Sequence, residues 1–310
     1  MNTLNEPGDD TMRTLLAMIL LLAFQLANSA NAEPRVIKVG TKPESVCRGF
    51  GDKLYVTIIN EEEPGDGGVN VVDGDKVEEF CRGMNSPKGI AFVGDFLVAA
   101  DETTVWSIDA KGKTKVIAKK EDFPNPIEFL NDVVAARDGK SVYVSEMSHP
   151  KWMFSPDGER QLWPVDSKDA KCPETGCVYQ VGLDGKISLA VPAGGKLTGP
   201  NGVTLTGRGD RQRVVVGDFF TGNILSWNGK KMTTLAQGMR GADGVEFGKG
   251  VIYVSSWPLG KVWKFDRKQK KLTVLSDKFT TAADLFYDRK NNQLIVPDML
   301  EGTLTFLPLD

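Results

Sequence analysis

The recurring feature of this chain is a pair of short apolar runs joined by a polar turn, entered each time by a small residue, a proline or a leucine and then one polar residue. The copies read "PESVCRGFGDKLYVTI" from Pro43, "PKGIAFVGDFLVAAD" from Pro87, "LNDVVAARDGKSVYVSE" from Leu130, "PNGVTLTGRGDRQRVVVGD" from Pro200, "ADGVEFGKGVIYVSSW" from Ala242 and "ADLFYDRKNNQLIVPD" from Ala283. Downstream of them come further alternating runs, among them "TVWSID", "GCVYQVG", "NILSWNG" and "KVWKFDR", separated by Gly, Asp and Lys turns. Such alternation is the period of short strands. Four short strands in just over 40 residues is the repeat of a propeller blade. The pattern therefore predicts an all-β chain, a single six-bladed β-propeller domain over residues 33–310.

The polar second positions are Glu44, Lys88, Asn131, Asn201, Asp243 and Asp284, at steps of 44, 43, 70, 42 and 41 residues. The long step locates a loop insertion at about 146–171, "EMSHPKWMFSPDGERQLWPVDSKDAK". Ahead of the first unit, "RVIKVG" is placed to supply the strand that the last unit, ending "TLTFLPLD", lacks.

In a propeller the innermost strand of each blade runs along the central channel, so the residue that opens it faces the axis at one mouth. Asn and Asp at such positions are ordinary turn residues; Glu44 and Lys88 are not. The carboxylates and the two amide oxygens form a hard, all-oxygen donor set, the preference of Ca²⁺ or another divalent cation such as Mg²⁺ or Mn²⁺. Zinc would require His or Cys there. Glu44, Asp243 and Asp284 against Lys88 leave a formal charge of -2, which one divalent cation or a pair of protons would neutralise.

Charge and composition narrow the partners. Lys and Arg number 38 against 41 Asp and Glu, a net -3 with no basic stripe, so nucleic acid is not an expected partner. Met12-Arg13, the apolar "TLLAMILLLAFQLA" and the small-residue end "NSANA" read as a signal peptide over 1–32, with Met12 as the true start and cleavage near Ala32. The run is too short for a membrane span. The mature protein is expected to be periplasmic or secreted, without stable membrane insertion, and monomeric. Four cysteines in an exported chain suggest disulfides, Cys172 with Cys177 and Cys47 with Cys81, although three connectivities are open. The one histidine, His149, excludes a multi-His metal site. It lies in the insertion with Trp152, Met153, Phe154 and Trp163; these rings either form a lid or wall over the channel mouth or pack the insertion against the blade edges.

The motifs "PESV", "LNDVVAARDGKSVYVSE", "GPNGVTL" and "GADGVEF", with their spacing, resemble those of the senescence marker protein, gluconolactonase and luciferin-regenerating enzyme family. That resemblance implies one catalytic divalent cation, usually Ca²⁺, in the channel, with ligands at Glu44, Asn131, Asn201 and Asp243, and Asp243 as base or nucleophile. It implies a hydrolase of lactones or related esters. This chain departs from the family pattern in three places. Phe129 stands where sugar-lactone hydrolases carry Arg, Lys88 stands where a neutral or absent side chain is expected, and Asp284 stands where some members place a catalytic His. Lys88, Asp284, Phe129, His149 and Trp152 are the expected substrate-binding residues. The competing expectation is a non-catalytic propeller that binds a ligand or partner protein at this mouth, with Lys88 salt-bridged to Glu44 in place of the metal.

Overall fold

The structure, a computed structural model, describes residues 33–309; the signal segment expected at 1–32 lies outside them. The described residues form six sheets of four strands, with no α-helix among them and four single-turn 3₁₀ segments. Blades 1 to 5 cover 43–84, 87–119, 130–191, 200–236 and 242–276, each with its strands in chain order. Blade 6 takes three strands from 286–308, and Arg35–Lys38 hydrogen-bonds to Thr303–Pro308 as its fourth. The strand ahead of the first unit thus closes the ring as expected. No helix of the described residues is long and apolar enough to cross a membrane.

Burial follows strand position. The innermost strands are buried almost throughout, as in Pro43–Arg48 and Pro200–Thr206, whereas the outermost strand Lys271–Ser276 is largely exposed. The core lies between blades: Val98, Ala100 and Val105 of blade 2 pack against Val133, Val144 and Tyr179 of blade 3. Each such valine withdrawn from water contributes about 1.5–3 kcal/mol.

Two local devices, repeated around the ring, aim the second-position side chains. The first is a β-bulge. In blade 4 the pairing passes from Pro200↔Asp218 to Val203↔Val216, so the inner strand carries one extra residue. The same step recurs at Pro43/Val46, Pro87/Ile90, Leu130/Val133 and Ala242/Val245. A bulge takes its residues out of the ladder and redirects their side chains, and Glu44, Lys88, Asn131, Asn201 and Asp243 all sit in one. Bridge Ala282↔Asp298 followed by Phe286↔Ile295 gives Asp284 the same setting.

The second device is a buried acid at the end of the neighbouring strand. Asp218 Oδ2 accepts from Thr198 N (2.7 Å) and Gly199 N (3.0 Å). Asp101 accepts from Asn85 and Ser86 N, Glu146 from Glu128 and Phe129 N, and Asp298 from Thr280 and Thr281 N. Each carboxylate pins the turn that leads into its own inner strand, a charge-assisted contact that holds the turn's donors where water is scarce.

The expected disulfides are not formed; all four cysteines are free. Cys47 is on the innermost strand and Cys81 on the outermost strand of the same sheet, through the pairings Cys47↔Tyr55, Tyr55↔Val71 and Val69↔Cys81. Three strand spacings of ~4.8 Å put them about 14 Å apart, whereas a disulfide needs Cα atoms within about 7 Å. Cys172 and Cys177 face different surroundings: Cys172 Sγ lies 3.6 Å from Trp152 O among the insertion's rings, and Cys177 packs in the core between blades 2 and 3.

Candidate functional site

The six bulges deliver their side chains to two levels of the channel. Glu44, Lys88, Asn131, Asn201 and Asp243 line one cavity of about 290 Å³ together with Phe129, Met147, His149, Phe154, Phe219 and Trp257. Asp284 is not among its lining residues. It lines a second cavity deeper in the channel with Asp132 and Glu246, and its Oδ2 accepts from Ser45 Oγ at 2.5 Å.

In the upper cavity, four oxygens from blades 1, 3, 4 and 5 are buried without a hydrogen-bond partner: Glu44 Oε2, Asn131 Oδ1, Asn201 Oδ1 and Asp243 Oδ1. Only three other side-chain atoms of the described residues share that condition, in Asp66, Arg160 and Tyr179. A buried unpaired oxygen costs about 1–3 kcal/mol, so four at one mouth need a common explanation. Asn131 Nδ2 is taken up by Met147 Sδ at 3.3 Å, and the Asn201 amide donates to Asp243, leaving the carbonyl oxygens for the cavity.

Burial pushes the Glu44 carboxyl up to about 8, with Lys88 opposing, and raises Asp243 well above the carboxylate range, with Glu44 adding repulsion. The ring therefore holds protons when nothing else neutralises it. Two carboxylates and two amide oxygens, all hard donors and all lacking partners, fit a Ca²⁺-class cation. No group of three or more His, Cys, Asp and Glu with metal-holding geometry occurs among the described residues; half of this donor set is amide.

Lys88 does not make the expected salt bridge. Its Nζ donates to Ser86 Oγ at 2.6 Å and sits 5.3 Å from the Phe129 ring centroid, and no carboxylate of the described residues lies within 4 Å of it. The Phe129 ring, where a polar Arg had been the alternative, gives the ammonium a face to rest on. Burial lowers the Lys88 pKa, with Glu44 opposing.

The insertion runs from Met147 to Gly176, five residues beyond its expected end, because the next strand begins at Cys177. Met147, His149, Pro150 and Phe154 form part of the cavity wall, while Met153, Trp163 and Cys172 pack with Phe219, Phe220 and Trp257 in a satellite core. Phe154 does both, lining the cavity and packing in the satellite core, whereas Met153 and Trp163 only pack. Trp152 lies outside the cavity lining; its Nε1 approaches Glu128 Oε2 at 3.5 Å. His149 packs against Phe129 with centroids 5.5 Å apart, its pKa lowered by burial.

Sequence reasoning missed Asp132. Its Oδ1 accepts from Val133 N and its Oδ2 from Val203 N of the next blade, both at 2.6 Å. The signal was the third bulge position, polar in Ser45 and Asp132 but glycine in Gly89, Gly202 and Gly244. At Gly202 a Cβ would meet Asp243 O at 1.9 Å, so glycine there lets blade 5 close on blade 4.

Fold and site together define a six-bladed β-propeller with an oxygen-lined channel mouth. No family model matches the chain, and no curated protein matches it. Matching solved structures are numerous, 873 chains, which fits a widely shared fold. One, in the crystal structure of a nidogen/laminin complex, aligns with TM-score 0.55 and 16% identity over 74% of this chain and 78% of that one. At that identity the likeness shows the fold alone. The resemblance to the gluconolactonase family accordingly rests on the motifs quoted above.

Proposed function

We propose that this propeller is a divalent-cation-dependent hydrolase of lactones or related esters, acting as an exported, monomeric protein in the periplasm or medium. The observation that carries the reading is the set of four unpartnered oxygens on Glu44, Asn131, Asn201 and Asp243 at the floor of a part-apolar cavity. Those four residues would hold the ion, which when bound supplies Lewis-acid polarisation of a carbonyl and acidification of water. Asp243 would take a proton from the water that attacks the carbonyl carbon, the acyl C–O bond breaking and the proton passing to the leaving oxygen, or would attack that carbon itself, expelling the alcohol oxygen, with water then cleaving the acyl–Asp243 bond. Lys88 Nζ uses one of its three donors on Ser86 and offers the others to negative charge developing on the carbonyl oxygen. Phe129, Phe154, Phe219 and Trp257 receive the apolar part of the substrate and exclude water.

The test is calorimetric titration of chelator-treated protein, residues 33–310, with calcium, followed by a lactone and ester panel. Expected are near one ion per chain, loss of binding in Glu44→Gln and Asn201→Ala, and turnover that falls about 10²–10⁴-fold in Asp243→Asn. A folded wild type that binds no cation defeats the reading.

The alternative, a non-catalytic propeller docking a partner protein at this mouth, draws support from the likeness to a chain of a protein complex. It loses its plug, since Lys88 is bonded to Ser86 rather than Glu44.

A further inference from the structure

The inner strands of blades 3, 4 and 6 end in turns on the side of the channel opposite the oxygen ring, about 20 Å away along the six residues of Leu130–Ala135 or the seven of Pro200–Thr206. Those turns bring Arg137, Arg208, Arg211 and Arg289 around one recess of about 640 Å³, completed by Gly207. All four arginines are exposed. Gathering four guanidinium groups runs against the net charge of -3, and like charges repel unless something neutralises them.

The neighbouring carboxylates neutralise Arg289 only and leave Arg137, Arg208 and Arg211 without an ion pair. Asp138 is committed to Lys140 N, Ser141 N and Ser141 Oγ, and Asp288 to Arg48, Asn291 and Gln293. Glu246 stands 3.8 Å from Arg289. Among the described residues no ion pair within 4 Å includes Arg137, Arg208 or Arg211, and the side chains of Arg208 and Arg211 make no hydrogen bond. Asp210, between the last two, forms no such pair either.

The recess is also held in shape. Arg289 Nη2 donates to Phe247 O at 2.6 Å while its guanidinium lies 4.6 Å from the Tyr287 centroid, and Arg137 Nη2 donates to Leu205 O at 3.4 Å. The hairpin carrying Arg208 and Arg211 turns on Gly207 at φ +72° and Gly209 at φ +54°. A Cβ on Gly207 would meet Arg211 O at 2.0 Å, so glycine lets the turn fold tightly enough to bring both arginines to one side.

We propose that this recess binds a multiply charged phosphate-type oxyanion, either a free phosphorylated molecule or the headgroup of an anionic lipid. Guanidinium forks match the oxygens of such groups in pairs, and the site is independent of the reaction at the other mouth.

The test titrates the protein with tripolyphosphate by calorimetry and sediments it with vesicles of phosphatidylcholine containing phosphatidic acid, using wild type and the double variant Arg208→Gln/Arg211→Gln. Both substitutions are on an exposed turn, so the melting temperature should not move. Wild type is expected to bind tripolyphosphate, more weakly as salt rises from ~0.05 to ~0.2 M, and the double variant at least about tenfold more weakly, a loss of about 1.4 kcal/mol. Binding to tripolyphosphate alone assigns a free ligand; co-sedimentation with the vesicles as well assigns a headgroup. Absence of both, or binding unchanged in the double variant, overturns the proposal whatever happens to calcium binding.

Discussion

At the scale of single residues, the site depends on carboxylates that never enter it. Asp218 accepts from Thr198 N, Gly199 N, Thr221 N and Thr221 Oγ1, and so fixes the turn that aims Asn201. Asp218→Ala would leave those donors short of a partner in a buried setting. We expect a loss of about 3 kcal/mol in denaturant unfolding and weakened calcium binding; Asp218→Asn, which keeps an acceptor, should lose less. Lys88 makes the opposite kind of prediction. It is buried at 8% exposure with one hydrogen bond, so Lys88→Met removes a desolvated charge and should leave stability unchanged or raised. If the ammonium stabilises the oxyanion, kcat should fall by about 10²–10³. A clear drop in melting temperature with turnover retained would point instead to a structural role.

At the scale of elements, the bulge takes strand residues out of the ladder and sets their side chains in the cavity wall. Five inner strands show the same extra residue, and where the third position is glycine the next blade's backbone comes within van der Waals reach. Gly202→Ala would drive a methyl into Asp243 O; the expected outcome is a stability loss of about 2 kcal/mol or more together with weaker cation binding, because the displaced backbone is that of a proposed ligand. A variant with wild-type melting and binding would show that blade 5 can retreat without cost. The repeat and its second positions were legible in the sequence because the strands alternate and the units recur at nearly constant steps. The bulge was not: two-residue periodicity reports which face a residue occupies only while the ladder is regular. The acids Asp101, Glu146, Asp218 and Asp298 closed four of the units in plain view, yet a polar residue after an apolar run reads as a loop, and only the fold shows it buried. The cysteines misled for a related reason. An even count carries no information about distance, and Cys47 and Cys81 are separated by the full width of their sheet.

At the scale of the whole molecule, the proposed cation site would tie metal binding to pH and stability. Burial raises Glu44 from 4.5 to about 8, Asp132 from 3.8 to about 6 and Glu246 from 4.5 to about 7, the last with Arg289 opposing. Below about pH 3 these carboxyls are protonated in folded and unfolded chains alike and do not bias folding. As pH rises, the unfolded chain releases its protons first while the folded, cation-free protein retains them. Stability must then fall across roughly pH 4.5 to 8, each unit of raised pKa weighing about 1.4 kcal/mol. A cation in the ring prefers the ionised Glu44 and Asp243 and stabilises the folded state by mass action. Melting temperature measured in chelator is therefore expected to decline from pH 5 to pH 8, while in millimolar calcium it declines less, so that the two curves diverge with rising pH. In Glu44→Gln the chelator curve should decline less steeply, Asp132 and Glu246 keeping their share, and the calcium effect should vanish with it, because Glu44 serves both. Parallel curves in the wild type would mean that the raised carboxyls and the cation site are not the same groups, and would remove the ring oxygens from the proposed metal centre.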